Sequence, residues 1–466
     1  MNKFFEAVAN MFRIPDLRRR VLFTLAMLAV YRLGGHIPTP GIDAQRFEDF
    51  VTQNQGSFFG FIDLFSGRMF RRLTIFALGI MPYITSSIIL QLLTVVVPTL
   101  EKLQKEGELG RRKITQWTRY LTVGLALMQS LGIATALQAA EGNFVLTPGW
   151  RFTFMTMLSL TTGTAFIMWL GEQITERGIG NGMSLIIFTG IVIGLPDAMG
   201  EIYTNVFVTG QWNALQMIII TIMMVGVVGF IVLVERGERR IPVQYAKRVV
   251  GRRLMGGQST HLPLKVNAGG VIPVIFASSL LAFPQTFLQI AWVRDNPWLR
   301  SMLESIGQSQ PLYYLLYTAG IVFFCFFYVS IIFNPNEAAD NMRKYGGFIP
   351  GIRPGRNTAE YMNRILTRIT MVGGLYLAVL SLLPEIMISG IKLQRLALVG
   401  NWVDTYFPRW LLDGLGVTFY FGGTSLLIVV GVAMDTVNQV EAQLIMRHYE
   451  GFTPRSGRIR GRRSAY

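Results

Sequence analysis

Long apolar runs alternate with short polar segments along the whole chain. A run of about 20 apolar residues is long enough to cross roughly 30 Å of hydrocarbon as an α-helix. Ten runs approach or reach that length, and each predicts a membrane-spanning helix. The predicted spans are 21–38, 73–97, 120–137, 152–171, 183–202, 213–234, 268–290, 311–333, 369–388 and 413–434. The pattern therefore predicts an all-α polytopic membrane protein.

The composition agrees with these spans and argues against a soluble enzyme. Hydrophobic residues make up 51% of the chain and charged residues 15%, against about 25% charged in ordinary soluble domains. The single cysteine, Cys325, lies in an apolar run, which excludes a disulfide framework and favours a packing role. His36, His261 and His448 have no metal-ligand spacing, and no catalytic triad or phosphate-binding loop is evident. We expect neither catalysis nor a bound metal or cofactor.

The basic residues are distributed unevenly between the two sides of the membrane. The chain carries 43 Lys and Arg against 27 Asp and Glu, a formal charge of +16. With a cytoplasmic N-terminus, 32 of the basic residues fall in cytoplasmic segments and 10 in external ones, while Arg32 lies within the first span. This is the asymmetry of the positive-inside rule. It predicts that both termini are cytoplasmic.

The cytoplasmic charge is concentrated in two long loops, 235–267 and 334–368, and in the tail 435–466. Attraction to anionic lipid explains a basic tail, at roughly 1 kcal/mol per residue near the surface. In the two loops, however, the basic residues continue well beyond the span ends and stand beside turn-forming residues. We interpret these loops as docking surfaces for ribosomal RNA or an acidic face of a soluble protein.

The span count suggests how the chain is organised. A half with five spans must be followed by a half of opposite orientation, so duplicated halves would form an inverted repeat. The corresponding units are an N-terminal half, 1–202, a connection, 203–210, and a C-terminal half, 211–434. At this point the inverted repeat is an expectation from the span count alone.

Ionisable residues are scarce inside the predicted spans. Charges at the centre of a bilayer cost several kcal/mol and usually mark ion or proton pathways. A secondary transporter of a small solute is the main alternative function, since it would share ten spans, an inverted repeat and broken helices. It predicts charged or coordinating groups near the midplane, and the sequence shows none there.

Two segments differ from ordinary spans. The second span has Gly79 and Pro82 within one turn, and its Ile80, Ile84 and Gln91 share one helical face, which suits an interior seam better than lipid. The connection between the fourth and fifth spans contains three glycines within 178–182, which permit positive φ.

At these segments the chain resembles the SecY family, the channel subunits of the bacterial protein translocase. The resemblance extends along nearly the whole chain. Further matching stretches are Phe65-Ser66-Gly67, Gly107 to Lys113, Gln258 to Pro263, Gly351-Ile352-Arg353-Pro354-Gly355 and Tyr420 to Ile428. The resemblance implies an hourglass-shaped channel for unfolded polypeptide, made of two inverted pseudo-symmetric five-helix halves that hinge between the fifth and sixth spans.

The resemblance also implies site residues. The family's constriction is an apolar ring, which here falls on Ile80, Ile84, Met183, Ile187, Ile275 and Ile428. A narrow apolar neck excludes ions by dewetting and offers a passing chain no fixed hydrogen-bond partner.

The family's plug is a short re-entrant helix, which here corresponds to about 61–72 and includes Phe65, Ser66 and Gly67. An ordinary external loop is the alternative for this segment. The gate that opens towards lipid, between the second and seventh spans, has Ser87, Gln91 and Asn267 as candidates.

The partners implied by the resemblance bind the cytoplasmic loops. These partners are the motor ATPase SecA and the ribosome, and the matching loop residues are Arg239, Arg240, Arg252, Arg253 and Arg353. SecE and SecG would be small membrane subunits, and signal sequences, nascent polypeptide and the lipid bilayer would contact the channel itself. The implied location is the bacterial cytoplasmic membrane.

Overall fold

The computed structural model describes residues 14–53, 66–139, 144–208, 214–245, 248–250, 253–255, 260–286, 296–307, 310–389 and 423–450. The helices in these ranges are α1 Pro15–Gly34, α2 Ala44–Gln53, α3 Met81–Val96, α4 Pro98–Lys105, α5 Glu108–Ala139, α6 Trp150–Arg177, α7 Gly182–Tyr203, α8 Ala214–Glu235, α9 Ile272–Thr286, α10 Pro297–Ser305, α11 Pro311–Ile332, α12 Pro335–Lys344, α13 Arg356–Ser389 and α14 Gly423–Glu450. The strands are β1 Glu238–Tyr245, β2 Arg248–Val250, β3 Arg253–Met255, β4 Thr260–Lys265 and β5 Gly347–Phe348.

Each of the ten predicted spans contains a helix, and in chain order these helices are α1, α3, α5, α6, α7, α8, α9, α11, α13 and α14. In the described residues, five helical stretches are long and apolar enough to cross a membrane, and α3 with α4 would add a sixth despite a 100° bend between them. Shorter apolar helices cover 182–196, 224–235 and 272–282. The chain is a predominantly helical polytopic membrane protein.

The second span begins later than its apolar run predicts. Residues 66–80 form consecutive turns, and α3 starts only at Met81, not near residue 73. Leu73 and Gly79 have φ of 39° and 57°, which a right-handed helix cannot accommodate. Pro82 lies in the first turn of α3, where its fixed φ favours helix initiation and its missing N–H costs nothing.

Two spans extend further than their apolar runs. α5 begins at Glu108 rather than near 120, and α13 begins at Arg356 rather than near 369. Both extensions are polar and carry ion pairs one turn apart, Arg112–Glu108 at 3.3 Å and Arg356–Glu360 at 3.0 Å. Such pairs support a solvent-exposed helix, and a hydropathy window does not detect them.

The two basic loops meet in one small β-sheet outside the predicted spans, a feature that the sequence pattern did not indicate. β1 pairs antiparallel with β4, from Glu238 opposite Lys265 to Val243 opposite Thr260. The far end of β1 pairs with β5 of the other loop, Gln244 opposite Phe348 and Tyr245 opposite Gly347. Separately, β2 pairs with β3. The loops 235–267 and 334–368 therefore form one structural unit.

The largest buried apolar cluster combines residues from α1, α3, α6, α7, α8, α9, α11, α13 and α14, so both halves of the chain contribute to it. A second cluster lies in the N-terminal half, around Phe47, Phe70 and Phe144. The predicted connection 203–210 starts at the end of α7 and continues as a π-helical turn, Thr204–Val208; residues 209 and 210 lie outside the described residues.

Candidate functional site

The six residues predicted for the constriction lie in one apolar cluster. Ile80, Ile84, Ile187, Ile275 and Ile428 are buried members of the cluster, and Met183 packs against it half-buried. Four helices supply them, since Ile80 and Ile84 belong to the start of α3, Met183 and Ile187 to α7, Ile275 to α9 and Ile428 to α14. The structure therefore brings these positions together, although their function as a ring remains a prediction.

The turn before α3 determines how its two isoleucines are presented. Ile80 is the N-cap residue, and its carbonyl accepts hydrogen bonds from the backbone N–H groups of Tyr83 and Ile84, both at 3.1 Å. The positive φ of Gly79 sets the direction of the chain just before this cap. Helix α3 therefore starts within the buried cluster.

A cavity of about 420 Å³ adjoins the cluster. One part of its lining is apolar and includes Ile84, Met183, Ile187 and Ile275. The rest combines Tyr83, Ile272, Phe276 and Tyr328 with the polar residues Ser87, Gln91, Thr115, Arg119, Glu172, Thr175, Glu176, Asn181 and Ser184. Polar and apolar side chains therefore share the lining of one cavity beside the cluster.

An ion pair in the cavity wall was not predicted from the sequence. Arg119 Nε donates to Glu172 Oε1 at 2.7 Å and joins α5 to α6. Glu172 is mostly buried, with 15% of its side chain exposed, whereas 45% of the Arg119 side chain is exposed. The sequence signal was weak because both residues stand next to the ends of apolar runs, where charged residues are ordinary.

The described part of the predicted plug is buried at its start and becomes exposed at Arg72. Ser66, Met69 and Phe70 are almost inaccessible, and the backbone carbonyls of Ser66 and Gly67 accept hydrogen bonds from α1. Residues 66–72 form turns, not the helix implied by the resemblance, because Gly67 and Arg68 have φ of 68° and 62°. Residues 61–65, including Phe65, lie outside the described residues. The assignment of this segment as a plug stays a prediction.

The gate candidates do not hydrogen-bond to one another across the gate. Gln91 Nε2 donates to Ser87 Oγ at 3.2 Å within α3. Asn267 is buried, and its amide donates to Glu235 Oε1 at 2.5 Å and to the carbonyl of Gly270 at 3.1 Å. Asn267 therefore ties the end of α8 to the approach to α9, and it makes no hydrogen bond to α3 in the described residues.

The contact between α3 and α9 is mainly apolar. Within the described part of the chain, the hydrogen bond that joins these helices runs from Ser279 Oγ to Met81 Sδ at 4.0 Å. Thioether sulfur is a weak acceptor. Separation of the two helices would therefore cost little hydrogen-bond energy.

The predicted docking arginines are exposed wherever their side chains are described. Arg239 and Arg240 lie on β1, and Arg353 lies in the turn after β5. Arg240 Nε is 3.7 Å from Glu238 Oε2, with 72% of the Arg240 side chain exposed, so this pair is weak. Arg253 belongs to β3, and Arg252 lies outside the described residues.

On α4, Lys105 Nζ is 2.6 Å from Glu101 Oε1 and lowers the pKa of that carboxyl.

Metal chemistry has no candidate in the part of the chain that the structure describes. No three His, Cys, Asp or Glu side chains come together there in an arrangement that could hold a metal ion. Cys325 is buried in α11 as a member of the main cluster, and a Cβ added at Gly374 of α13 would lie 3.6 Å from its Sγ, which agrees with a packing role.

The fold and the site together define a class of protein: a polytopic helical membrane protein with a buried apolar cluster beside a cavity of mixed polar and apolar lining. Solved structures share this fold. A protein-conducting channel aligns with a TM-score of 0.60 at 18% identity over 94% of each chain. Sec61 of the canine ribosome–channel complex from the endoplasmic reticulum aligns with a TM-score of 0.56 at 17% identity, again over 94% of each chain.

Sequence similarity identifies the family. The SecY family model matches residues 74–437. The protein translocase subunit SecY of Escherichia coli K12 is 49% identical over 442 residues, 94% of each chain. The protein of the same name from Streptomyces galbus is 49% identical over 459 residues, 96% of this chain and 99% of its own. The chain belongs to the SecY family.

Proposed function

We propose that the chain forms a channel through which unfolded secretory polypeptides cross the bacterial cytoplasmic membrane. The observation that carries this proposal is the neck, where six apolar side chains from four helices and both halves of the chain lie in one cluster, and four of them line the adjoining cavity. Relatives named as protein translocase subunits, at 47–49% identity over most of the chain, support the same function.

The apolar neck suits a polypeptide better than a small solute. A transporter needs groups that coordinate its solute, whereas a channel for proteins must pass side chains of every chemistry without binding any of them tightly. Ile80, Ile275 and Ile428 offer neither charge nor hydrogen bonds. The similarity to translocase subunits also gives the transporter alternative no support. The channel subunit itself would carry out no chemical reaction.

Lateral release of membrane segments would use the boundary between α3 and α9. The weak contact between Ser279 and Met81 supports this assignment. Ser87 and Gln91 line the cavity beside that boundary, whereas Asn267 would act from the α8 side through Glu235. The segment 66–72, in which Ser66, Met69 and Phe70 are buried, would serve as the plug.

The sheet formed by the two basic loops would be the docking surface for cytoplasmic partners. Its exposed arginines support binding of an acidic protein face or of ribosomal RNA. The corresponding partners are the ATPase SecA and the ribosome, with SecE and SecG as membrane subunits. This arrangement requires the loops and both termini to be cytoplasmic, as the charge count predicts.

Crosslinking of a stalled secretory chain tests the proposed function. Photoreactive residues at Ile84 and Ile187, both in the neck, should crosslink to the stalled chain. Val96 on α3 and Tyr203 on α7 are matched controls, because both side chains are exposed and neither lines the cavity. Equal crosslinking at neck and control positions, or none at the neck, would contradict a passage through this site.

A further inference from the structure

Arg32 is the one Lys or Arg within the predicted spans, and the proposed passage of polypeptide does not by itself explain it. It lies near the end of α1 and is half-buried. Its Nη1 donates to the backbone carbonyl of Gly67 at 3.3 Å. In the described part of the chain it forms no ion pair. A charged side chain retained in a span usually has a specific function.

The preceding residue makes the same kind of contact. The Tyr31 hydroxyl donates to the backbone carbonyl of Ser66 at 3.5 Å, in a position where both residues are 1% exposed. The Tyr31 ring stacks on Phe76, with ring centroids 6.0 Å apart. Two consecutive residues of α1 therefore bind two consecutive carbonyls of the segment before α3.

The surrounding surfaces fit this segment closely. A Cβ atom at Gly34 would collide with the Phe76 ring, and one at Gly35 would collide with the Met69 side chain. On the opposite side, a Cβ atom at Gly67 would lie 2.8 Å from Cα of Gly190 in α7. Gly67 also has a φ of 68°, which favours glycine. The end of α1 and the middle of α7 thus form a cradle for the turns that begin at Ser66.

We propose that Tyr31 and Arg32 form a latch that holds residues 66–73 in the cradle while the channel is idle. The proposal rests on the proposed function and names two positioning residues for it. Because the latch binds backbone carbonyls, it does not depend on the side chains at positions 66 and 67. It is lost as soon as the segment moves, and the guanidinium is then free to be solvated by water in the open passage.

Accessibility of position 69 tests the latch. Cys325 is the chain's single cysteine, so Cys325→Ala removes the natural thiol. Met69→Cys in that background then places one thiol, in the complete channel complex, at a position whose native side chain is 1% exposed. Arg32→Gln in this background removes one hydrogen bond from a charged donor, so the cysteine at position 69 should react with a polar maleimide about ten times faster. Tyr31→Phe removes a neutral hydrogen bond, so the same reaction should become about three times faster. Ion leak through the idle channel should rise in the same order.

Arg46→Gln is the matched control, because Arg46 pairs with Asp43 on the exposed surface at 3.3 Å. It should leave labelling and leak unchanged. Unchanged labelling in both Arg32→Gln and Tyr31→Phe would overturn the latch. If Arg32→Gln fails to fold, Tyr31→Phe alone decides the outcome, since it removes one oxygen and keeps the ring stack. Crosslinking of a stalled chain to Ile84 is measured in the same variants, so that a failed latch with intact crosslinking leaves the proposed function standing.

Discussion

The neck and the loop sheet differ in almost every physical respect. The neck consists of buried apolar side chains from distant parts of the chain, and dispersion and burial stabilise it. The sheet of β1, β4 and β5 carries exposed arginines over a small apolar base that includes Ile241 and Leu264. The neck contains only apolar side chains, whereas the sheet presents charged side chains on an apolar base.

The two regions suit two different tasks, passage of polypeptide and recognition of a partner, and one surface could not perform both. A passage for many different chains must bind none of them strongly, whereas a docking surface must distinguish its partner from other proteins. Charge at the neck would retain oppositely charged substrates, and an apolar docking surface exposed to water would promote non-specific association. The following predictions test whether the two tasks are as separate as the structure suggests.

Polar substitution in the neck should have the largest effect. Ile428→Asn places an amide where the side chain is 0% exposed. An unsatisfied buried polar group costs about 1–3 kcal/mol, so a water-filled neck should become roughly ten- to a hundredfold more populated. Ion conductance through reconstituted idle channels should rise accordingly. Ile428→Val is the control and should conduct like the parent; unchanged conductance in Ile428→Asn would argue against the ring assignment.

Charge reversal on the docking surface should have the next largest effect, and on a different measurement. Arg353→Glu replaces an exposed positive charge in the turn after β5 with a negative one. An exposed like-charge contact should weaken motor binding by about 1.4 kcal/mol, so motor-driven export should fall about tenfold. Idle ion conductance should not change, and ribosome-driven membrane insertion should fall less. Equal losses in export and insertion would refute a special role of Arg353 in motor binding.

Weakening the junction between the two loops should have the smallest effect. A Cβ at Gly347 would lie 3.0 Å from Cε1 of Tyr245, so Gly347→Val should separate β5 from β1. Only two residue pairs join these strands, and we expect a loss of about 1 kcal/mol, roughly a fivefold weaker partner affinity in a binding assay. Tyr345→Ser, at an exposed neighbouring position, is the control. An affinity equal to that of the control would mean that the loops dock independently.

The sequence predicted the spans well because membrane helices are specified by local apolar composition. It failed where geometry depends on single backbone angles or on polar stretches. The start of α3 at Met81 follows from the φ of Gly79 and the position of Pro82, and the start of α5 at Glu108 lies in a polar region that resembles a loop in hydropathy.

Contacts between distant segments were the other part that local patterns could not predict. The pairing of Tyr245 with Gly347 and the bond from Asn267 to Glu235 join residues far apart in sequence, and no periodicity encodes either. The positions of the neck residues were obtained from family resemblance. From the residues alone, isoleucines such as Ile275 and Ile428 are typical of any buried helix, so their common location became visible only in three dimensions.

The connection between the sheet and α9 has a mechanical consequence. Only residues 266–271 separate β4 from α9, and this connection is fixed at two points, by the 2.9 Å hydrogen bond from Val266 N to the Gly237 carbonyl and by the Asn267 amide on Glu235. A short connection held in this way transmits displacement with little slack. If the sheet is the docking surface that we propose, a partner that tilts it would exert torque on the first turn of α9 and so load the apolar contact between α9 and α3.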